Sequence, residues 1–196
     1  MKKRCKWTGQ DPLMQDYHDN EWGIALNDDK KWFEFLVLDT FQAGLSWRTI
    51  LHKREGFRKC FYKFDVQKVA QIESLELEKL CQNKEIIRNR LKIKATISNA
   101  KAFIKIQQEF GSFNQYIWRF TNGKTIHNSF KELSEIPATT PLSDKMSKEL
   151  KGKGFKFVGS TICYAFMQAS GIVNDHTVDC FRYQQINKEN NLLDAQ

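Results

Sequence analysis

Two cysteines and two histidines near the ends of the chain are of the residue types that bind zinc. His176 and Cys180 are four residues apart, so on a helix they would face the same side one turn apart. Cys5 and His18 lie in an N-terminal segment that could fold back onto that pair. Cys₂His₂ is a common tetrahedral zinc set. However, the chain has no close Cys-x-x-Cys pair, and spacing alone favours small buried cysteines over a metal site.

Aromatic side chains and carboxylates are concentrated in the first 47 residues. Together they could form a pocket for a flipped, cationic base, because π faces and a carboxylate both attract positive charge. The alternative is that aromatic residues at helical spacing form core, and we expect this of Trp32 and Phe33. The cluster comprises Trp7, Tyr17, Asp19, Glu21, Trp22, Trp32, Asp39 and Trp47.

A glycine-rich connection lies between two predicted helices across residues 143–170. Gly154 and Gly159 bracket it, and unpaired N–H groups at the start of the second helix would suit a phosphate. An ordinary turn with solvated lysines is the alternative interpretation. The lysines around the glycines favour binding to a DNA backbone, and they are Lys151, Lys153 and Lys156.

Helical spacing of apolar residues predicts the elements that would position these groups. The first 27 residues are predicted to be irregular, and Asn27-Asp28 to cap a helix through Trp32 and Val37. Further helices are predicted from Leu45, after the caps Asp65 and Ser74, over 88–110, over 113–120, after Ser143-Asp144, and over 160–169. A turn at 121–124 is the only β signal.

Length and composition predict one helical domain. The 196 residues are 41% hydrophobic, with 15 Phe and 5 Trp, which excludes global disorder. Only 3 Pro and 10 Gly argue against an all-β sandwich with its many turns. We therefore predict an all-α fold, with a single domain over 1–184 and a polar, frayed tail over 185–196.

The net charge and the cysteine content indicate which binding partners and which cellular compartment suit the protein. The formal net charge is +8 and the pI is about 9.2, which suits a polyanion as well as a merely basic soluble protein. No apolar stretch is long enough to span a membrane, and the basic N-terminus lacks the apolar segment of a signal peptide. Five cysteines without a secreted pattern indicate reduced thiols and a cytoplasmic location.

Four segments together carry a specific resemblance. They are Tyr17-His18-Asp19-Asn20-Glu21-Trp22-Gly23, Gln42-Ala43-Gly44-Leu45-Ser46-Trp47, Gly154-Phe155-Lys156-Phe157-Val158-Gly159, and Phe166-Met167-Gln168-Ala169 continuing to Val173-Asn174-Asp175-His176. In order and spacing the chain resembles the bacterial 3-methyladenine DNA glycosylase I family, from about Cys5 to about Cys180.

The resemblance implies an all-helical fold of the helix-hairpin-helix DNA glycosylase superfamily. It implies a DNA-binding hairpin at 152–159, including Lys153, Gly154, Lys156 and Gly159. It also implies a structural Zn²⁺ that ties the N-terminal segment to the C-terminal one. The implied ligands are Cys5, His18, His176 and Cys180.

Position by position, the resemblance places Tyr17 and Trp47 at the base pocket, with Trp7 close by. Gly44 and Leu45 match residues that press into the DNA stack. A glutamate that contacts the methylated base in the family is here Asp39, whose reach is shorter by one C–C bond, roughly 1.5 Å. Met14 replaces a usual aromatic residue, and Asn174 stands where many superfamily members carry a catalytic aspartate.

The implied activity is hydrolysis of the N-glycosidic bond of 3-methyladenine in alkylated double-stranded DNA. The enzyme is expected to be a monofunctional glycosylase that acts as a monomer and needs no protein partner. Methylation at N3 makes the base cationic and its bond labile, so selective binding by Asp39, Tyr17 and Trp47 can replace a strong general acid. A non-catalytic sensor of alkylated bases is the alternative, and a purely structural zinc-bound helical module ranks last.

Overall fold

The computed structural model describes residues 2–193, with side chains described as far as residue 190. Eleven α-helices form this part of the chain, which confirms the mainly helical prediction. They are α1 (Pro12–Asn20), α2 (Asp29–Gln42), α3 (Trp47–His52), α4 (Arg54–Cys60), α5 (Val66–Ala70), α6 (Ser74–Gln82), α7 (Arg90–Phe110), α8 (Phe113–Trp118), α9 (Pro141–Gly152), α10 (Ser160–Ala169) and α11 (Phe181–Leu193). Short 3₁₀ turns occupy Lys6–Thr8, Tyr62–Phe64, Arg119–Thr121 and Leu133–Glu135.

The N-terminal segment contains a helix, so the prediction of an irregular segment over 1–27 is wrong for part of it. The Asp11 side chain accepts hydrogen bonds from the backbone N–H groups of Leu13 and Met14, and Pro12 occupies the first turn of α1. Aspartate at the N-cap followed by proline is a helix-start signal. Its consequence is that Tyr17 and His18 project from a rigid helix.

Helix α2 runs through the centre of the core. Asp28 caps it as predicted, by accepting a hydrogen bond from Lys31 N–H. All residues from Trp32 to Phe41 are buried, because α2 packs against α7, α8 and α10 on different sides. A helix that is buried all round positions its side chains tightly, and Asp39 lies within this stretch.

Helix α7 is the longest helix, and the sequence predicted it closely. Asn89 caps its start by accepting from Lys92 N–H, and Gly111, with φ of +85°, ends it. Its buried face includes Ile93, Ile97 and Ala100, as the apolar spacing indicated. The buried face also carries Lys92 and Asn99, which are polar.

The β structure extends beyond the turn predicted at 121–124. Asn122, in the left-handed region, and Gly123 form a turn, but the strand that follows pairs with a distant segment. Strand β1 (Ile126–His127) pairs in parallel with β2 (Val173–Asn174), in the register Ile126 to Val173. This pairing fixes the segment that leads into His176.

Several helix boundaries differ from the sequence prediction because neighbouring residues make the caps. Thr140 caps α9 through a reciprocal pair of hydrogen bonds with Ser143, and Pro141 follows it, so the helix begins earlier than Ser143-Asp144 indicated. Asp65 caps α5 as predicted. Glu73, not Ser74, precedes α6.

The predicted polar tail is also wrong over residues 185–193, which continue α11. Ile186 and Asn190 are fully buried. The Asn190 side chain accepts from Ala25 N–H and donates to the Gly23 carbonyl, at 3.1 and 3.0 Å. These hydrogen bonds dock α11 on the segment after α1, and residues 194–196 lie outside the described part.

A buried ion cluster fastens the end of α1 to α2 and α4. Arg54 donates to both oxygens of Glu21, at 2.6 and 2.7 Å, and to Glu34 at 2.8 Å. Separating the partners of a buried ion cluster would leave an uncompensated charge, which is strongly destabilising. These side chains therefore hold α1 and α2 in a fixed relative position. None of the described helices combines the length and hydropathy that crossing a bilayer requires.

Candidate base pocket and metal centre

A cleft of about 640 Å³ opens between α1, the C-terminal half of α2, the start of α3 and α10. Its volume is in the range of small-molecule sites. The sequence-predicted residues Trp7, Tyr17, Asp39 and Trp47 all line it. Met14, which replaces an aromatic residue of the resembled family, also lines it.

Asp39 is a buried carboxylate on the wall of this cleft. It is 1% exposed, and its Oδ2 has no hydrogen-bond partner among the described residues. Burial raises the pKa of Asp39 well above its usual value. An unpaired acceptor facing a cleft is suited to a ligand that donates a hydrogen bond or carries positive charge.

The aromatic side chains form one corner of the cleft. The Tyr17 and Trp47 rings have centroids 5.0 Å apart and planes inclined by 45°. To hold a base between them, two parallel rings would have to be about 7 Å apart, which is two van der Waals gaps. The two rings therefore offer adjoining faces of one wall. The indole N–H groups of Trp7 and Trp47 are buried, and neither finds an acceptor among the residues that the structure describes.

Four other members of the predicted aromatic and acidic cluster have structural roles. Trp32 is core, as expected, and its indole N–H donates to Asn114. Glu21 belongs to the Arg54 ion cluster. Asp19 binds Arg4 and His18, and Trp22 packs on the rings of Trp7 and His176. Asp39 is therefore the carboxylate of this cluster that remains unpaired.

The four predicted zinc ligands come together at one buried point. Their nearest ligand atoms all lie within 4.8 Å of one another. Cys180 Sγ lies 3.4 Å from His18 Nε2 and 3.5 Å from His176 Nδ1, and Cys5 Sγ lies 3.6 Å from His176 Nδ1. A tetrahedral zinc with ordinary bond lengths places sulfur and nitrogen ligands about 3.5 Å apart. The donor set and its spacing therefore fit that ion.

The groups around the cluster orient both histidines toward its centre. Asp19 accepts from His18 Nδ1 at 2.8 Å, and the Trp22 carbonyl accepts from His176 Nε2 at 3.1 Å. The opposite ring nitrogens then carry lone pairs directed at the cysteines, as metal-binding histidines require. The pKa of the Cys180 thiol is lowered, mainly by its hydrogen bond with Cys5, and the thiolate is the metal-binding form.

His176 and Cys180 do not share the helix that their four-residue spacing indicated. Both residues lie in the irregular segment between β2 and α11, where Cys180 N–H bonds to the Thr177 carbonyl. A tight turn brings them together where the sequence indicated a helix face. Gly23 passes against His176, and a Cβ there would lie 3.2 Å from its Nε2.

The two residues predicted to insert into the DNA base stack occupy an exposed turn at the rim of the cleft. Gly44, with φ of +75°, and Leu45, which is 40% exposed, lie between the end of α2 and Ser46. Ser46 caps α3 and lines the cleft together with Gln42 and Trp47. We call residues 43–46 the rim turn.

The segment 152–159 connects α9 to α10, and we call it the hairpin. Gly154 adopts φ of +95°, and Gly159 caps α10 without a side-chain hydrogen bond to the first N–H groups. Lys156 is exposed, whereas Lys153 Nζ forms an ion pair with Glu109 at 2.7 Å. A carboxylate therefore already neutralises Lys153, whereas Lys156 is available to an anion.

Sequence analysis missed the contribution of α10 to the cleft. Tyr164 and Gln168 line the wall formed by this helix. Their side chains donate to the buried Asp175 at 2.6 and 2.8 Å. The four-residue spacing of Tyr164 and Gln168 was the available signal, but an apolar helix of this kind is usually core.

Asn174 is buried and fully engaged in structural hydrogen bonds. Its amide donates to Asn187 Oδ1 at 2.7 Å and to the Tyr183 carbonyl at 3.3 Å, and its oxygen accepts from His176 N–H. These bonds join β2 to α11. Asn174 carries an amide, and the Asp175 carboxylate is already hydrogen-bonded to Tyr164 and Gln168.

The fold and this pair of sites define a helical protein of the methyladenine glycosylase family. The sequence profile of that family matches residues 7–183. The chain is 51% identical over 181 residues to DNA-3-methyladenine glycosylase 1 of Escherichia coli K12, covering 92% of this chain and 97% of the relative. It is 44% identical over 180 residues to DNA-3-methyladenine glycosylase of Haemophilus influenzae, covering 92% and 97%. The chain belongs to this family.

Solved structures of similar proteins agree with the fold. A crystal structure of 3-methyladenine DNA glycosylase I matches with a TM-score of 0.89 and 50% identity, covering 91% of this chain and 98% of that one. A Tyr-to-Phe variant of such an enzyme in complex with 3-methyladenine matches with a TM-score of 0.88 and 35% identity, covering 91% and 96%.

Proposed function

We propose that this protein is a base-excision repair enzyme that hydrolyses the N-glycosidic bond of 3-methyladenine in DNA. The observation that carries the proposal is the unpaired Asp39 carboxylate, buried beside Tyr17 and Trp47 in a cleft of suitable size. A relative of the same fold is described in complex with 3-methyladenine. Free base and an abasic site would be the products, and the proposed enzyme has no lyase step.

Recognition would depend on charge and on an unsatisfied acceptor. Methylation at N3 makes the base cationic in DNA, and a buried carboxylate attracts that cation more strongly than a solvated one does. Asp39 accepts a hydrogen bond from the amino edge of the flipped base, while Tyr17 and Trp47 pack against the base from one wall of the cleft. Normal adenine lacks the charge and gains less from Asp39.

The chemistry then requires little from the protein. The base leaves neutral, because its own positive charge receives the bonding electrons from the sugar, so no general acid has to protonate it. The sugar carbon becomes oxocarbenium-like, and a water molecule adds to it and loses a proton to solvent. This account agrees with the structural engagement of Asn174 and Asp175, neither of which is placed as a base.

Cys5, His18, His176 and Cys180 would hold a structural zinc ion. Four protein ligands complete a tetrahedron and leave no position for a reactive water. The ion would tie the segment before α1, and α1 itself through His18, to the segment before α11. That tie positions Trp7 and Tyr17, which lie two and twelve residues after Cys5.

We further propose that the chain binds duplex DNA as a monomer in the cytoplasm and needs no protein partner. The hairpin and the uncapped start of α10 bind the phosphate backbone, and Gly44 and Leu45 fill the gap that the flipped base leaves. We propose that residues 1–184 form the catalytic domain and that α11 completes it. The +8 net charge supports a polyanionic partner.

The defining test measures release of free 3-methyladenine from methylated duplex DNA. We expect release by the purified protein, with abasic sites formed in equal number. The rival interpretation, a sensor that binds alkylated DNA without cutting the glycosidic bond, predicts tight binding with no free base. A duplex without methylation serves as the control.

Lys156→Ala is expected to weaken binding to any duplex, because the exposed ammonium contacts a phosphate rather than a base. The slope of log K against log salt should fall by about 0.9 if one phosphate contact is lost. Lys153→Ala is the matched control in the same hairpin, and we expect a smaller change since Glu109 already pairs with Lys153. Equal slopes for wild type and Lys156→Ala would place the backbone contact elsewhere.

A further inference from the structure

Two polar residues on the buried face of α7 each hold one of the segments proposed to contact DNA. Lys92 and Asn99 are 5% and 1% exposed. They are seven residues apart, so they lie on the same side of the helix, roughly 10 Å apart along its axis. Buried polar groups on a core-facing surface cost stability unless their hydrogen bonds are well made.

Lys92 binds the last turn of α2 and the first residue of the rim turn. Its Nζ donates to the backbone carbonyls of Phe41 and Ala43, at 2.9 and 2.5 Å. The last carbonyls of a helix have no partner within the helix, and a cation there also opposes the negative end of the helix dipole. Burial lowers the pKa of Lys92. The ammonium therefore fixes where α2 stops and where Gly44 and Leu45 begin.

Asn99 binds the hairpin at Lys156. Its amide donates to the Lys156 carbonyl at 3.1 Å, and its oxygen accepts from Lys156 N–H at 2.8 Å. This two-bond pairing satisfies both backbone groups of one hairpin residue. It holds the backbone of the hairpin against α7 while the Lys156 side chain remains exposed.

We propose that Lys92 and Asn99 are positioning residues through which α7 sets the spacing between the rim turn and the hairpin. A residue that presses into the DNA stack has to lie at a fixed distance from the groups that hold the phosphate backbone. A rigid helix that binds both segments supplies that distance, because α7 is continuous from Arg90 to Phe110. The inference rests on the proposed function, and it assigns different steps to the two residues.

Lys92→Met should impair insertion into the stack without impairing backbone binding. The probe is a duplex with a stable abasic analogue opposite 2-aminopurine, whose fluorescence rises when the base is unstacked. At saturating protein we expect Lys92→Met to lose most of the fluorescence rise, while the midpoint of binding changes by less than about threefold. Lys101→Met, which removes an exposed lysine from the same helix, is the control and should match wild type.

Asn99→Leu should show the opposite pattern. Loss of two hydrogen bonds that hold the hairpin should weaken binding to the same duplex by roughly tenfold. The fluorescence rise at saturation should remain, because the rim turn is still held by Lys92. Asn99→Asp retains the acceptor for Lys156 N–H but not the donor, and an intermediate affinity is expected.

The reference variant is Leu45→Ala, which removes the side chain proposed to enter the stack. If Leu45→Ala leaves the fluorescence rise unchanged, the rim-turn part of the proposed function fails, independently of α7. If Leu45→Ala abolishes the rise and Lys92→Met retains it, the inference about Lys92 is overturned. Binding of free 3-methyladenine reports on the cleft alone. A variant that loses binding of free 3-methyladenine, the fluorescence rise and affinity for the duplex together is generally damaged. That outcome also overturns a positioning role.

Discussion

Asp39→Asn is expected to lower excision of 3-methyladenine by about ten- to more than a hundredfold. The change removes a charged hydrogen bond to the flipped base, and such bonds contribute about 1.5–3 kcal/mol. Affinity for undamaged DNA should be unchanged, because Asp39 is 1% exposed and lies outside the rim turn and the hairpin. Excision and duplex affinity are measured on the same sample.

The same substitution should leave the melting temperature unchanged or raise it. Asp39 Oδ2 has no donor among the described residues, so the native state is destabilised by the buried charge. The raised pKa of Asp39 means that the folded state binds its proton more tightly than the unfolded state does. The contribution of Asp39 to the free energy of unfolding therefore falls as pH rises from about 3.9 through the raised pKa. The increase in melting temperature of Asp39→Asn over the wild type should accordingly grow with pH.

Asp39→Glu is the matched control because it keeps the carboxylate and lengthens its reach. We expect it to remain active, since the added methylene would extend into the cleft. Activity of the wild type should fall as pH is lowered through the pKa of Asp39, and this fall should be absent from the residual activity of the Asn variant. Full excision by Asp39→Asn together with a lower melting temperature would assign Asp39 a structural role instead.

Loss of the metal ligands is expected to have the largest effect on stability. Cys5→Ser combined with Cys180→Ser should cost about 4 kcal/mol, which for a chain of this size lowers Tm by roughly 10 °C. The reason is that four buried polar groups from both ends of the chain would lose their shared ligand. Purified wild type should contain about one zinc per chain.

Chelation distinguishes a metal site from ordinary cysteine packing. A strong chelator should lower Tm of the wild type and leave Tm of the double variant unchanged, since that variant has no ion to lose. Cys81→Ser, at a partly exposed cysteine outside the cluster, is the control and should respond to the chelator as the wild type does. Absence of zinc, with the double variant as stable as this control, would contradict the site.

Local signals in the sequence were sufficient for much of the helical framework. Asp28 and Asp65 cap the helices that their types and positions predicted, because capping depends on contacts within three residues. The apolar face of α7 followed from spacing alone. Helix α1 was missed although Asp11 and Pro12 carry its start signal. Helix α11 was missed because few of its described residues are buried, and two of these, Arg182 and Asn190, are polar.

The resemblance, rather than residue spacing, assigned the metal ligands and the pocket residues. Spacing alone left zinc less favoured than buried cysteine, and it placed His176 and Cys180 on a helix that does not exist. The family is confirmed by comparison with known proteins. The roles of individual site residues remain predictions for the experiments above.

The sequence by itself determined most of the helices, the basic charge and the family, since these depend on residue types and short-range order. Only the tertiary structure decided which polar groups are already paired. Cys5 meets His176 across 171 positions, Glu109 neutralises Lys153, and Asp39 Oδ2 finds no donor in the part of the chain that the structure describes. Contacts of this kind join residues far apart in the chain, and no local pattern encodes whether a particular side chain finds a partner when the helices pack.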